Sequence, residues 1–286
     1  MIIDLENTNS REFYTYATSL IAPRPIAFAS TIDLEGNVNL SPFSFFNMVG
    51  IDPPILVFSP NRRGKDNSQK DTILNLHQIP EVVINLVDYS MVQQMSLSSC
   101  EYPKGISEFL KAGFTEEKSL KVKPPSVKES PVSLECKVLE IKEYGTANIV
   151  ICEVLLAHIA DKLLGENGKI NQQKTDWVAR MGGDWYARIT PEAMFEVPKP
   201  TRTTGIGIDQ IPEFIRYSKE LSGNELGKLG NIERMPNLEE INNYNTKNPT
   251  DELANTFQKA KFLLEENKIQ EAWLALLSFE SKTFYD

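Results

Sequence analysis

The sequence predicts a mainly β domain followed by an α-helical extension, and three observations carry that division. From Pro25 to about Ile159 the apolar runs are short, rich in Val, Ile, Phe and Leu, and bounded by Gly, Pro, Asn and Asp, the pattern of strands joined by turns. The stretch Pro198-Lys199-Pro200 then interrupts the chain. Beyond it the residues are polar, show no strand pattern, and end in two runs with three- and four-residue apolar spacing. Residues 1–200 are thereby assigned to the β domain and 201–286 to the extension.

Taken in order, Ile26 to Ser30 and Ile55 to Phe58 read as buried strands. Between them, Asp33 to Asn39 places Gly36-Asn37 at a hairpin turn, where both residues tolerate positive φ. Pro53-Pro54 opens ILVFS and keeps the prolines at the strand's start. Asp71 to His77 predicts a short helix with Asp71 as its N-cap, and Glu81 to Asp88 the next strand. Tyr89 to Ser99 and Gly105 to Ala112 read as two short helices, because Met91, Val92 and Met95, then Ile106, Phe109 and Leu110, recur at helical intervals. They are expected to cover one end of the β domain. Two long strands follow, one through Leu134, Cys136, Val138 and Ile141 and one through Ile149, Ile151, Val154 and Leu156, with Tyr144-Gly145-Thr146 as their turn. In the extension, Asp251 to Asn267 and Ile269 to Ser281 form a helical hairpin, with Thr250 as N-cap and apolar stripes that include Phe257, Leu264, Trp273 and Leu277.

Composition narrows the function classes. With 286 residues and 41% hydrophobic content the chain can bury a sizeable core. A net charge of −9 argues against the phosphate backbone of nucleic acid as partner. No apolar run approaches the roughly 18–20 residues a membrane helix needs, and MIIDLENTNSRE lacks a basic segment followed by an apolar one, so the expected location is the cytoplasm. Cys100, Cys136 and Cys152 have no metal-ligand spacing and read as structural thiols of a reducing compartment. The two histidines, His77 and His158, have no carboxylate at ligand spacing, which argues against a metal hydrolase; His158 reads as a satisfied rim residue. No G-x-S-x-G elbow points to nucleophilic catalysis.

Chemistry concentrates between Ala22 and Thr72, where hydroxyls, an amide and cations stand at the ends of apolar runs. Polar groups in such places need partners, and a phosphorylated, ring-bearing cofactor supplies them economically. Arg62, Arg63 and Lys65, with Lys70 a turn later, form the one dense basic cluster; the alternative is a solvated surface loop.

PRPIAFAST, NLSPFSFFN, PPILVFSPN, the KDT triplet at Lys70 to Thr72 and ARMGGDWYARI at Ala179 to Ile189 stand in an order that resembles the flavin reductase-like family of FMN-binding split-barrel proteins. The resemblance implies a Greek-key, six-stranded antiparallel β-barrel with short peripheral helices, a homodimer, and FMN near the subunit interface. Ser30 and Thr31 match strand-end residues that face the flavin, and Ser41, Pro42, Phe43, Ser44 and Asn47 its main cradle. Arg63, Lys70 and Thr72 are phosphate or ribityl candidates, and Arg24 would orient the flavin or the neighbouring subunit. The implied activity is a flavin reductase-like oxidoreductase, with NAD(P)H giving hydride to FMN and the electrons passing onward. Two alternatives stand beside it: an FMN-binding electron carrier without NAD(P)H oxidation, and a partner-docking protein that uses the helical tail.

Overall fold

The computed structural model describes residues 1–103, 105–198, 204–248 and 253–283. The chain divides into two units, Met1–Phe195 and Glu196–Asp286.

The first unit begins with α1 (Ser10–Leu20), entered through Asn9, whose side chain accepts from the Arg11 N–H. There follow β1 (Ala27–Ile32), β2 (Val38–Phe43), β3 (Phe46–Ile51), β4 (Pro54–Phe58), α2 (Asp71–Gln78) and β5 (Glu81–Asn85). Next come α3 (Val92–Leu97), α4 (Glu108–Ala112), the two-residue strands β6 (Glu116–Glu117) and β7 (Ser126–Val127), the long hairpin β8 (Val132–Tyr144) and β9 (Ala147–Ile159), and the short hairpin β10 (Val178–Arg180) and β11 (Tyr186–Arg188). Seven strands make one antiparallel sheet in the order β2-β1-β5-β8-β9-β4-β3.

The expected six strands become seven because one bends. β2 and β3 are the two edges of the sheet, and only Ser44 and Phe45 separate them in sequence. The chain therefore crosses the seam covalently, although no ladder joins β2 to β3 among the described residues and the barrel stays open there. That is a split barrel, and the open seam lies at the segment singled out as the flavin cradle.

Alternation of side chains separates an inner face from an outer one. Ala27, Ala29, Phe43, Leu56, Phe58, Val82, Ile84, Cys136, Val138, Val150 and Cys152 fill the interior, and Ile73 and Leu76 of α2 pack into the same core. Contact with the Cys152 thiol, together with burial, pushes the Cys136 thiol far up, so it stays protonated. Helices α3 and α4 do not cap a barrel end as expected. Their Val92, Met95, Phe109 and Ala112 cover the outer face against Phe28 and Leu40 of β1 and β2, because those strands are apolar on both sides; the helix that packs into the interior is α2.

The second unit is helical: α5 (Glu213–Arg216), α6 (Gly223–Gly230), α7 (Leu238–Lys247), α8 (Leu253–Glu265) and α9 (Ile269–Thr283). The hairpin of α8 and α9 was legible; α5, α6 and α7 were not expected. Both α6 and α7 carry capping boxes, Ser222 with Glu225 and Asn237 with Glu240. The expected N-cap Thr250 lies outside the described residues. Around the fully buried Trp273 pack Leu229, Phe257, Leu264, Leu276 and their neighbours, and the Trp273 indole N–H donates to the Leu229 carbonyl at 3.0 Å. No helix of the described residues is long and apolar enough to cross a membrane.

Candidate functional site

The loop from β4 to α2 is folded back on itself. Arg62 pairs with Glu143 at 2.8 Å, and Arg63 pairs with Asp71 at 2.9 Å while also donating to the Gln69 carbonyl. A buried amide fixes the whole loop to β9: Asn148 donates to the Pro60 carbonyl at 2.7 Å and to Gln69 Oε1 at 2.9 Å, and its own oxygen accepts from Gln69 at 3.1 Å. Helix α2 then starts at Asp71. The N-cap position is Lys70, which makes no side-chain cap, and Asp71 serves as the counter-ion of Arg63 instead of the expected cap.

Lys70 is consequently left as a cation without a carboxylate within ion-pair distance among the described residues. Its ammonium lies 5.3 Å from the Phe43 ring centroid, and burial, reinforced by the Arg63 charge, pushes its pKa down. It borders a recess of about 90 Å³ whose walls include Ser41 and Pro42 of β2, Arg63, and the segment Ser98 to Tyr102 after α3. The Ser98 hydroxyl there is buried, with 2% exposure for the residue, and has no partner. Of the carboxylates at this recess, Asp71 is held by Arg63, and Glu101 lies 3.9 Å from the same guanidinium. Glu108 accepts from the Leu40 N–H at 3.1 Å, and burial pushes its pKa up. Among the described residues the recess thus brings together an ammonium without an ion-pair partner and a buried hydroxyl without a hydrogen-bond partner, beside the carboxylates of Asp71, Glu101 and Glu108. Asn39, Asp71, Tyr102 and Glu108 also line a groove of about 570 Å³ between the β1–β2 turn and α2.

Four of the sequence-derived residues, Ser41, Pro42, Arg63 and Lys70, thus come together. The others are placed differently. Thr31 and Thr72 are fully buried, their hydroxyls accepting from Asn75 at 3.2 Å and Asn39 at 3.0 Å, which stitches α2 to β1 and β2. Phe43 lies in the barrel core, 5.8 Å from Phe58 between centroids, where it supports Lys70 and offers no free ring face. Ser30 is fully buried with its hydroxyl unpartnered, on the opposite side of β1 from Ala29 and Thr31. Ser44 sits half-buried in the bend at the seam, and Asn47 is exposed on β3, its side-chain oxygen accepting from the Met48 N–H. Arg24 directs its guanidinium to the carbonyls of Thr18, Ile21 and Met181, which makes it a clamp on the end of α1; its Nε is buried without a partner, and Phe45 lies 5.9 Å away. Ser98, Asn148, Asn39 and Glu108 were not anticipated. His158, read as a satisfied rim residue, meets the buried Glu135 at 2.6 Å, and that carboxylate also accepts from the Leu120, Lys121 and Val122 N–H groups.

Comparison with known proteins places this geometry. Residues 20–174 match the flavin reductase like domain. A protein of Aquifex aeolicus is 36% identical over 193 residues, which span 68% of this chain and 98% of the relative. Among solved structures, nitrilotriacetate monooxygenase component B from Bacillus cereus superposes with a TM-score of 0.64 at 27% identity, covering 69% of this chain and 98% of that one. A Shewanella frigidimarina protein with a split barrel domain gives 0.59 at 27% identity, over 70% and 99% of the two chains.

Proposed function

Because the chain belongs to the flavin reductase-like family, we propose that it is an FMN-dependent oxidoreductase that accepts hydride from NAD(P)H and passes the electrons to an acceptor. The observation that supports the cofactor is the recess at Lys70. A flavin's phosphate would take hydrogen bonds from the Lys70 ammonium and the buried Ser98 hydroxyl, which have no ion-pair or hydrogen-bond partner of their own among the described residues. The recess is too small for a ring system, so it would hold only the phosphate end of a flavin. Bound flavin supplies the hydride-accepting ring. The chain's own residues would bind and orient: Ser41 and Pro42 wall the anchor, Arg63 neutralises the Asp71 carboxylate beside it, and Ser44 and Asn47 at the seam would offer hydrogen bonds to the ring's polar edge. Such donors stabilise negative charge that develops there on reduction.

The working form is a homodimer in the cytoplasm. In support, the edge strand β3 exposes Met48, Val49 and Ile51, apolar residues that a second copy would cover, and no cysteine among the described residues is in a disulfide. Light scattering on the purified protein tests the dimer. Absorbance tests the reaction: flavin bands that bleach anaerobically with NADH or NADPH are expected. Bleaching only with dithionite would make the protein a carrier, and failure to bind flavin at all would overturn the proposal.

A further inference from the structure

The hairpin β10–β11 builds a second cavity that the flavin anchor does not use. It has a volume of about 380 Å³, lies between the exposed flank of α3 and the hairpin, and shares no lining residue with the recess at Lys70. Its floor is apolar, from Val92 and Val178, which also belong to the core beneath it. Two arginine–tyrosine stacks stand at its sides: the Arg180 guanidinium is 4.6 Å from the Tyr186 ring centroid, and that of Arg188 is 3.7 Å from Tyr89.

The charges at this cavity are unequally settled. Arg188 is held by Asp176 through two bonds of 2.7 and 2.9 Å. Arg180 gives one hydrogen bond, 3.2 Å to the Trp185 carbonyl, and has no carboxylate within ion-pair distance among the described residues. Asp184, also at the cavity, is exposed on the hairpin loop and beyond that distance. Directly across an antiparallel bridge from Arg180 stands Arg24, whose guanidinium hydrogen-bonds only carbonyls and is buried. Arg24's charge is settled by the carbonyls at the end of α1, whereas the like charge of Arg180 across the bridge repels it and leaves the Arg180 guanidinium without an ion-pair partner on the cavity side among the described residues. A guanidinium already stacked on a ring is also pre-organised for a bidentate partner.

We propose that this cavity binds a ring-bearing anion, its flat apolar body resting on Val92 and Val178 beside the tyrosine rings and its carboxylate or phosphate on Arg180. Two sources share that chemistry, an aromatic carboxylate and a phosphorylated nucleotide, and the site stands whether or not flavin binds at Lys70. The test is calorimetric titration of the purified full-length protein with benzoate, NADH and NADPH, flavin content being recorded by absorbance for each sample. Binding of at least one ligand is expected, weakened at least tenfold in Arg180→Ala, recovered in part in Arg180→Lys, and blocked in Ser96→Trp, which fills the mouth from α3 without changing charge. Flavin content should be the same in all three variants. Benzoate binding would assign an aromatic carboxylate, and binding of the nucleotides alone a nucleotide. No measurable binding of any of the three to the wild-type protein, or binding that survives both Arg180→Ala and Ser96→Trp, would overturn the proposal.

Discussion

The two units of this chain differ in how completely they satisfy their buried polar side chains. In the helical unit the one large polar-edged side chain of the core, Trp273, is satisfied by the Leu229 carbonyl, the Lys228 ammonium donates to the Leu264 carbonyl, and both inner helices are closed by capping boxes. In the barrel unit lie all four of the buried side-chain atoms left without partners among the described residues: Arg24 Nε, Ser30 Oγ, Ser98 Oγ and Ser107 Oγ. A buried hydroxyl without a partner costs about 1–3 kcal/mol, so a fold keeps it where a ligand completes it.

The largest effect expected from this contrast is on the helical side. Trp273→Ala removes the centre of that core and leaves the Leu229 carbonyl unpaired, at a cost of about 3–5 kcal/mol. Thermal denaturation should show the second unit melting early, while flavin absorbance of the barrel stays as in the wild type; flavin lost along with the helical unit would break the contrast. In the barrel, Glu135→Gln weakens the carboxylate's bonds to the Leu120–Val122 loop and to His158, at about 2 kcal/mol near neutral pH. Burial pushes this carboxyl up, but His158 and the loop N–H groups outweigh it and hold it below its ordinary value. A depressed carboxyl stabilises the fold above the unfolded value and ceases to do so as pH falls through the folded one. The wild-type advantage over Glu135→Gln should therefore shrink on acidification below about pH 4.5; an advantage independent of pH would contradict the charge's role.

How much of this was legible in the sequence differs between the units for a physical reason. The long hairpin β8–β9 and the helix α2 follow from local periodicity, and the structure has them. The helices α6 and α7 escaped notice because their apolar content is modest, although Ser222 to Glu225 and Asn237 to Glu240 carry the capping signature three residues apart. The bend at Ser44 and Phe45, which turns six expected strands into seven, carries the chain from one edge of the sheet to the other and leaves no local mark. Family likeness pointed to Lys70, Arg63 and Ser41, yet it also pointed to Thr31, Thr72 and Phe43, whose burial only the packed barrel reveals. Ser98 and Asn148 are remote in sequence from Lys70, and nothing short of tertiary structure brings them to its loop.

Smaller effects sharpen the comparison. Ser98→Ala removes an unpartnered hydroxyl, so the flavin-free protein should be as stable as the wild type or slightly more so, while FMN affinity falls about fivefold, near 1 kcal/mol. Denaturation of the stripped protein and a flavin titration check the two halves. The smallest effect belongs to the helical surface: Arg234 holds the Glu240 carboxyl down to about 2. Its contribution is present above the unfolded value near 4.5 and is lost as pH falls through about 2, so Glu240→Gln should lower the melting temperature slightly at pH 7 and much less at pH 2.

The claim that a phosphate completes the recess is tested most directly by titrating the flavin-free protein with FMN and with riboflavin, in the wild type and in Lys70→Ala. Because the ring is the same and only the phosphate differs, the wild type should bind FMN at least tenfold more tightly, and Lys70→Ala should abolish most of that difference while leaving riboflavin affinity unchanged. Equal affinity for the two flavins in the wild type, or a preference for FMN that survives without Lys70, would contradict it.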